Sequence, residues 1–242
     1  EMKNRVRETD ETVPYKMDDY FYYSRTVQGK QYPIQCRKKE NLRAQEEVIL
    51  DPNELAKGQK FFQLGVFEVS PDHKLLAYSE NCDGSEAFTI RVKKLDTGEL
   101  LPDAIPNTYY SLEWANDNRT FFYTTLDDAK RPYKAFRHRL GTDPKADERV
   151  HHETDEKFQI EISKTRSRAY ILLSLHSQIT SEVRFLEADR PDSELRLIQP
   201  RIPGVEYRAA HHNDSFYIVT NEHAVNFKVV KAPVKSPSRE NW

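Results

Sequence analysis

Glycine is scarce. Only seven occur in 242 residues, at positions 29, 58, 65, 84, 98, 141 and 204. Even the nearest two, Gly58 and Gly65, are too far apart for a G-x-G-x-x-G fingerprint, a Walker loop or a G-x-S-x-G nucleophile turn. Rossmann dinucleotide sites, P-loop nucleotide sites and the usual serine-hydrolase elbow are therefore excluded from these residues. Cysteine is scarcer still. Cys36 and Cys82 cannot form a C-x-x-C motif, and two free thiols in a reducing compartment are expected. No apolar run approaches the roughly 18–20 residues of a membrane span, so no membrane association is expected. The opening Glu1-Met2-Lys3-Asn4-Arg5 leads into no apolar leader core, and a cytoplasmic setting is the expectation. Neither sign of charge dominates. Lys and Arg number 37 against 39 Asp and Glu, a net charge of −2, which leaves no basic footprint for nucleic acid.

What is present is repetition. Five apolar runs each close on Ser or Thr: Phe21-Tyr22-Tyr23-Ser24, Leu76-Ala77-Tyr78-Ser79, Phe121-Phe122-Tyr123-Thr124, Ile171-Leu172-Leu173-Ser174 and Tyr217-Ile218-Val219-Thr220. They recur about 45–55 residues apart, close to the period of propeller blades of four strands each. The second repeat shows the unit. Phe67-Glu68-Val69-Ser70 alternates, Pro71-Asp72-His73 turns, and Leu75–Ser79 is continuously apolar, as a strand covered on both faces requires. Ala87–Leu95 alternates again, Asp96-Thr97-Gly98 turns, and Glu99-Leu100-Leu101 starts a fourth strand. A single helical turn is expected over Asn53–Gly58. The fold class is all-β, a propeller of four-stranded antiparallel blades with units near 10–60, 61–104, 105–153, 154–203 and 204–242. The last unit lacks its fourth strand and the first residue is not Met. The economical expectation is a run of about five blades from a larger ring, with Trp242 a cut point.

Candidate chemical sites reduce to structural readings. His151-His152-Glu153 and His211-His212 offer metal-ligand types, but neighbouring strand residues point to opposite faces, so solvated strand ends are expected. Glu46-Glu47 and Asp127-Asp128 read as exposed turn and rim acids. Arg37-Lys38-Lys39 reads as a solvated strand end. Arg131, Arg137, His138 and Arg139 read as a solvated basic face. Tyr22, Tyr23, Tyr78, Phe122 and Tyr123 read as core, not as a base-stacking platform. Asn118-Arg119-Thr120 and Asn213-Asp214-Ser215 match the glycosylation sequon by chance, in turns. No catalytic, cofactor-binding or metal-binding residue is assigned, and no cofactor is expected.

Longer stretches carry a resemblance. They include Arg7-Glu8-Thr9-Asp10, Val13-Pro14-Tyr15, Tyr22-Tyr23-Ser24-Arg25, Gly29-Lys30-Gln31-Tyr32-Pro33 and Phe67-Glu68-Val69-Ser70-Pro71-Asp72. They continue with Asp117-Asn118-Arg119-Thr120, Arg131-Pro132-Tyr133, His138–Pro144, Thr180–Arg184, Pro203–Tyr207, Thr220-Asn221-Glu222, Asn226-Phe227 and Pro237–Trp242. In order and over nearly the whole chain, these resemble the N-terminal propeller of the prolyl oligopeptidase family of serine peptidases, in its oligopeptidase B-like branch. The resemblance implies a seven-bladed propeller capping an α/β-hydrolase domain that carries the catalytic Ser, Asp and His. It implies hydrolysis of short peptides after Arg or Lys, with the propeller excluding large substrates. The partners it implies are that hydrolase domain, absent here, and short basic peptides. No position matches the family's catalytic motifs. Two other readings stay open: a free-standing propeller used as a binding scaffold, and the propeller of a proline-specific relative.

Overall fold

The computed structural model describes residues 7–242. The opening residues read for a leader lie outside the described residues. The chain packs as two compact units. One runs through Leu64 and includes Asn81–Gly84; the other comprises Gly65–Glu80 and Ser85–Trp242.

The first unit holds one antiparallel sheet of β1 (Tyr15–Met17), β2 (Tyr20–Arg25), β3 (Ile34–Lys39) and β4 (Glu46–Leu50), paired in that order. The leading strand begins at Tyr15, and Val13 before it is exposed. Tyr23, Ile34 and Cys36 form its core. A helical turn follows, α1 (Pro52–Leu55). Asp51 caps it by accepting the Asn53 N–H at 2.9 Å, and Pro52 sits in the first turn, where a missing N–H costs nothing. Gly58, at φ +76°, lets the chain reverse after it.

The second unit is built from three meanders. The first runs β5 (Gln63–Val69), β6 (Leu75–Asn81), β7 (Phe88–Lys94), β8 (Leu100–Trp114), β9 (Thr120–Leu126), β10 (Pro132–Arg139) and β11 (Glu148–His152). The second is β12 (Gln159–Lys164), β13 (Tyr170–His176), β14 (Ser181–Glu187) and β15 (Arg196–Gln199). The third is β16 (Tyr207–His212), β17 (Ser215–Thr220) and β18 (Lys228–Pro233). The five repeated apolar runs lie in β2, β6, β9, β13 and β17, strands as the sequence predicts.

One boundary differs. The division expected at 104/105 falls inside β8. This strand of 15 residues pairs with β7 through Thr108 and with β9 from Thr108 onward, so two blades share one strand. The register breaks between Thr108 and Leu112. On either side of it the two halves of the seven-stranded sheet share a core. Val66, Ala77, Ile90 and Val92 then meet Leu112, Trp114, Phe121 and Tyr123 in one core. The same logic repeats outward. Phe122 and Ala135 pack against Ile160, Ile162, Ile171 and Leu173. Leu172, Val183 and Phe185 pack against Tyr207, Phe216 and Ile218. Apolar side chains filling the space between successive meanders are the physical basis of blade stacking.

Candidate functional site

Strands β5 and β8 carry two carboxyls that burial perturbs strongly. Glu68 on β5 and Glu113 on β8 occupy the same step of the repeat, each two residues before the strand's end is closed by Ser70 and Ala115. The Trp114 indole Nε1 donates to the Glu68 carbonyl oxygen at 2.9 Å and ties β8 to β5, which are not neighbours in the sheet. Glu113 Oε1 accepts the Lys164 N–H at 3.0 Å. The Lys164 ammonium donates to Asn116 Oδ1 at 3.1 Å and to neither carboxylate.

Burial pushes the Glu68 carboxyl up to about 8, and neighbouring Glu113 adds to the rise against the opposing charge of Lys164. Burial pushes Glu113 up to about 7, with the Lys164 charge and N–H opposing. Burial holds Lys164 below the usual lysine range. Half-buried carboxyls that take up protons near neutrality are the kind of group that marks functional sites. Here they can hold protons or receive a cation. Among the described residues, no group of three or more His, Cys, Asp or Glu is arranged to hold a metal ion.

The Glu68 shift has a measurable consequence. Above about 4.5 the unfolded chain releases a proton that folded Glu68 keeps until about 8, so stability falls as pH rises through that window. Glu68→Gln keeps the shape and removes the titration. Thermal melts of parent and variant are expected to nearly coincide at about pH 5 and to separate towards about pH 9, the variant melting higher. Parallel curves across that range would show that Glu68 does not titrate as described.

The residues singled out from sequence fall into three groups. Tyr22, Tyr23, Tyr78, Phe122 and Tyr123 are core, as expected. Glu46 and Asp127 are not catalytic pairs with their neighbours. Glu46 accepts three bonds from Arg25 Nε and Nη2 and one from the Tyr23 hydroxyl, and Asp127 accepts from Arg131 at 2.9 Å. Asn118 and Asn213 sit in left-handed turns, and Asn118 Oδ1 accepts the Asp72 N–H at 2.7 Å.

The solvated readings are corrected at several positions. Arg37 is buried: its guanidinium lies 4.3 Å from the Tyr20 ring centroid and pairs with Glu47 at 2.7 Å. His152 and His212 are exposed, but His151 and His211 are half-buried on the opposite strand face. His211 Nδ1 pairs with the Ser167 hydroxyl at 2.7 Å, and the Nε2 atoms of both half-buried histidines are enclosed without a hydrogen-bond partner. Arg137 turns inward to Glu148 and the Pro191 carbonyl. His138 is fully buried. Its Nδ1 faces Asp147 at 2.8 Å and its Nε2 faces Asp103 at 2.9 Å. Asp147 also accepts the Tyr123 hydroxyl at 2.8 Å, and Asp103 accepts the Gly141 N–H at 2.6 Å. A carboxylate at each ring nitrogen favours the imidazolium form, in which both nitrogens donate, and raises the His138 pKa against the effect of burial.

Reading the repeat step by step would have exposed Glu68 and Glu113, since both stand two residues before the first turn of their blades. No sequence signal identifies the Asp103–His138–Asp147 cluster, because its members meet only through strand register.

These meanders and their interleaved cores are those of a β-propeller. Residues 1–242 match the family description "Prolyl oligopeptidase, N-terminal beta-propeller domain" along their whole length. The chain belongs to that family. It is 41% identical to Protease 2 of Moraxella lacunata over 98% of this chain and 35% of that protein. It is 38% identical to dipeptidyl aminopeptidase BI of Pseudoxanthomonas mexicana over 100% of this chain and 36% of that protein. Among solved structures, oligopeptidase B from Leishmania major superposes with a TM-score of 0.92 at 31% identity, covering 97% of this chain and 34% of that one. Oligopeptidase B from Trypanosoma brucei, in a closed form with covalently bound antipain, gives 0.88 at 30%, covering 96% and 33%. The chain thus spans about a third of the length of these relatives.

Proposed function

We propose that this chain is the propeller of an oligopeptidase B-like serine peptidase that hydrolyses short peptides after Arg or Lys. The observation that carries the reading is the 41% identity to Protease 2 across 98% of the chain, joined to the fit on oligopeptidase B. In this reading an α/β-hydrolase domain of the same polypeptide supplies the catalytic groups, and the propeller caps them. A cap of this kind admits flexible peptides and keeps folded proteins out. Opening lets substrate in, and closure completes the site. The closed form of the Trypanosoma brucei relative supports such a movement. The two free cysteines support a cytoplasmic setting.

A second reading has its own support, the 38% identity to a dipeptidyl aminopeptidase over the whole chain. One assay separates the two. The full-length protein is given fluorogenic peptides with a blocked N-terminus ending in Arg-Arg or Gly-Pro, and the corresponding free dipeptides. The expected result is a kcat/KM preference for the blocked dibasic peptide of at least about 100-fold over the prolyl one. A requirement for a free N-terminus would replace this reading with the aminopeptidase one. A preference for Gly-Pro would replace it with a proline-specific one.

A further inference from the structure

The first unit contains a cleft that the family reading does not use. It opens between the β2–β3 connection, at Gln31 and Tyr32, and the segment from α1 into β5, at Ala56 and Gln59–Gln63. Its volume is about 440 Å³, within the roughly 300–1,000 Å³ of small-ligand sites. The cleft is braced from behind. Asn53 Oδ1 accepts the N–H groups of Gln31 and Tyr32 at 3.1 and 3.0 Å, and its Nδ2 donates to the Tyr32 carbonyl at 2.8 Å. The Tyr32 hydroxyl donates to the Phe62 carbonyl at 3.0 Å, and the two rings meet edge to face at 5.5 Å. Both walls are therefore held before any ligand arrives, which lowers the cost of binding.

The lining has a definite chemistry. Tyr32 and Phe62 give an apolar wall, and Phe61, 41% exposed, stands at the rim. Gln31 and Gln59 bring amides, which can donate to a carbonyl and accept from an N–H. Lys60 is the only charged residue of the lining, and it has no ion-pair or hydrogen-bond partner among the described residues. No carboxylate lines the cleft, so a cationic ligand would find no counter-charge. A phosphate would find one lysine and no arginine fork, a poor match for that group. An extended peptide end fits each feature: main-chain groups on the amides, an apolar last side chain on the rings, and the terminal carboxylate on Lys60.

We propose that this cleft is a docking site for the carboxyl-terminal end of a peptide with a large apolar last residue. Such a site would retain a peptide by its tail. The proposal stands on the lining residues and does not require the cleavage preference argued above.

The test uses the full-length protein after treatment with a serine-directed covalent inhibitor, so that no turnover obscures binding. If the peptidase reading is wrong, the inhibitor simply does not react and the binding measurement is unaffected. The probes are acetyl-Gly-Leu-Phe as the free acid and as the C-terminal amide, followed by calorimetry. The free acid is expected to bind at least about 10-fold tighter than the amide. Lys60→Gln, an exchange at an exposed loop position, should abolish that difference and leave the amide's affinity unchanged. Phe61→Ala should weaken both probes. Equal binding of acid and amide by the parent, discrimination that survives in Lys60→Gln, or no binding of either probe would each overturn the proposal.

Discussion

Replacing His138 with leucine is expected to cost about 3–5 kcal/mol of stability at neutral pH, the usual penalty for removing one partner of a buried ion pair. Leucine fills much of the imidazole's space beside the Phe121 ring, whose centroid is 5.0 Å away. What it cannot do is donate. Asp103 and Asp147, whose side chains are each 2% exposed, would be left with the Gly141 N–H and the Tyr123 hydroxyl as their remaining donors. One oxygen of Asp103 already lacks a hydrogen-bond partner, so this cluster has no spare donors.

The pH dependence gives the same residue a second signature. Burial alone would push the His138 pKa down, but the hydrogen bonds and charges of Asp147 and Asp103 outweigh it and hold the pKa above the ordinary 6.5. Folding therefore retains a proton that the unfolded chain has released above about 6.5. The stabilisation is present in full below that value and is lost as pH rises through the higher, folded pKa. In His138→Leu that segment of the pH dependence should vanish. Hydrogen exchange of β10 and of the Leu100–Ile105 stretch of β8 in the full-length protein reads the opening free energy locally. A variant within about 1 kcal/mol of the parent at pH 7, or one with an unchanged pH slope, would show that the cluster is not a buried ion pair.

The contrast between what could be read from sequence and what could not follows from the range of the interactions. The second strands β6, β9 and β13 were legible because burial on both faces leaves an unbroken apolar run, a signal carried by four or five adjacent residues; β17 carries such a run as well, although its Tyr217 and Val219 face outward. The turn after Ser70 was legible because its Asp72 caps it locally, accepting from the Ser70 hydroxyl at 2.7 Å and the Lys74 N–H at 3.1 Å. Arg37 was misread because a charge run looks alike whether or not its residues have partners. Its partner Glu47 stands directly opposite on β4, which only register reveals. The β8 boundary was misplaced because β8 runs on through Pro102 and Pro106 as one strand that pairs first with β7 and then with β9, which only register reveals. In the fold both prolines are exposed along the stretch where β8 pairs with β7, and the register of that pairing shifts nearby. The Glu68–Glu113 pair lay between these cases. Its repeat position is local, but its environment depends on Lys164, which arrives from β12.

Gly65 tests whether the Ser and Thr that close the repeated runs serve a packing role. A Cβ built on Gly65 would collide with Ser79 Oγ and come within 2.8 Å of Phe88 Cδ1. Ser79 is fully buried, and its Oγ accepts the Val66 N–H at 2.9 Å. The serine that ends the apolar run of β6 thus bonds to the neighbouring strand β5 beside the one residue without a side chain. Gly65→Ala forces Ser79 to rotate away, strands the buried Val66 N–H and presses on Phe88. Overpacking of this kind costs about 1–3 kcal/mol and a buried unsatisfied donor about 1–3 kcal/mol. The lower backbone entropy of alanine in the unfolded chain returns only about 0.4–1 kcal/mol. The expected net loss is about 2–4 kcal/mol. Ser79→Ala alone also strands the Val66 N–H, so the two changes share one broken bond. The double variant should therefore be less destabilised than the sum of the singles, by a coupling of at least about 0.5 kcal/mol in a double-mutant cycle. Strict additivity would separate the clash from the hydrogen bond, and the Ser79 hydroxyl would then have no part in keeping position 65 bare.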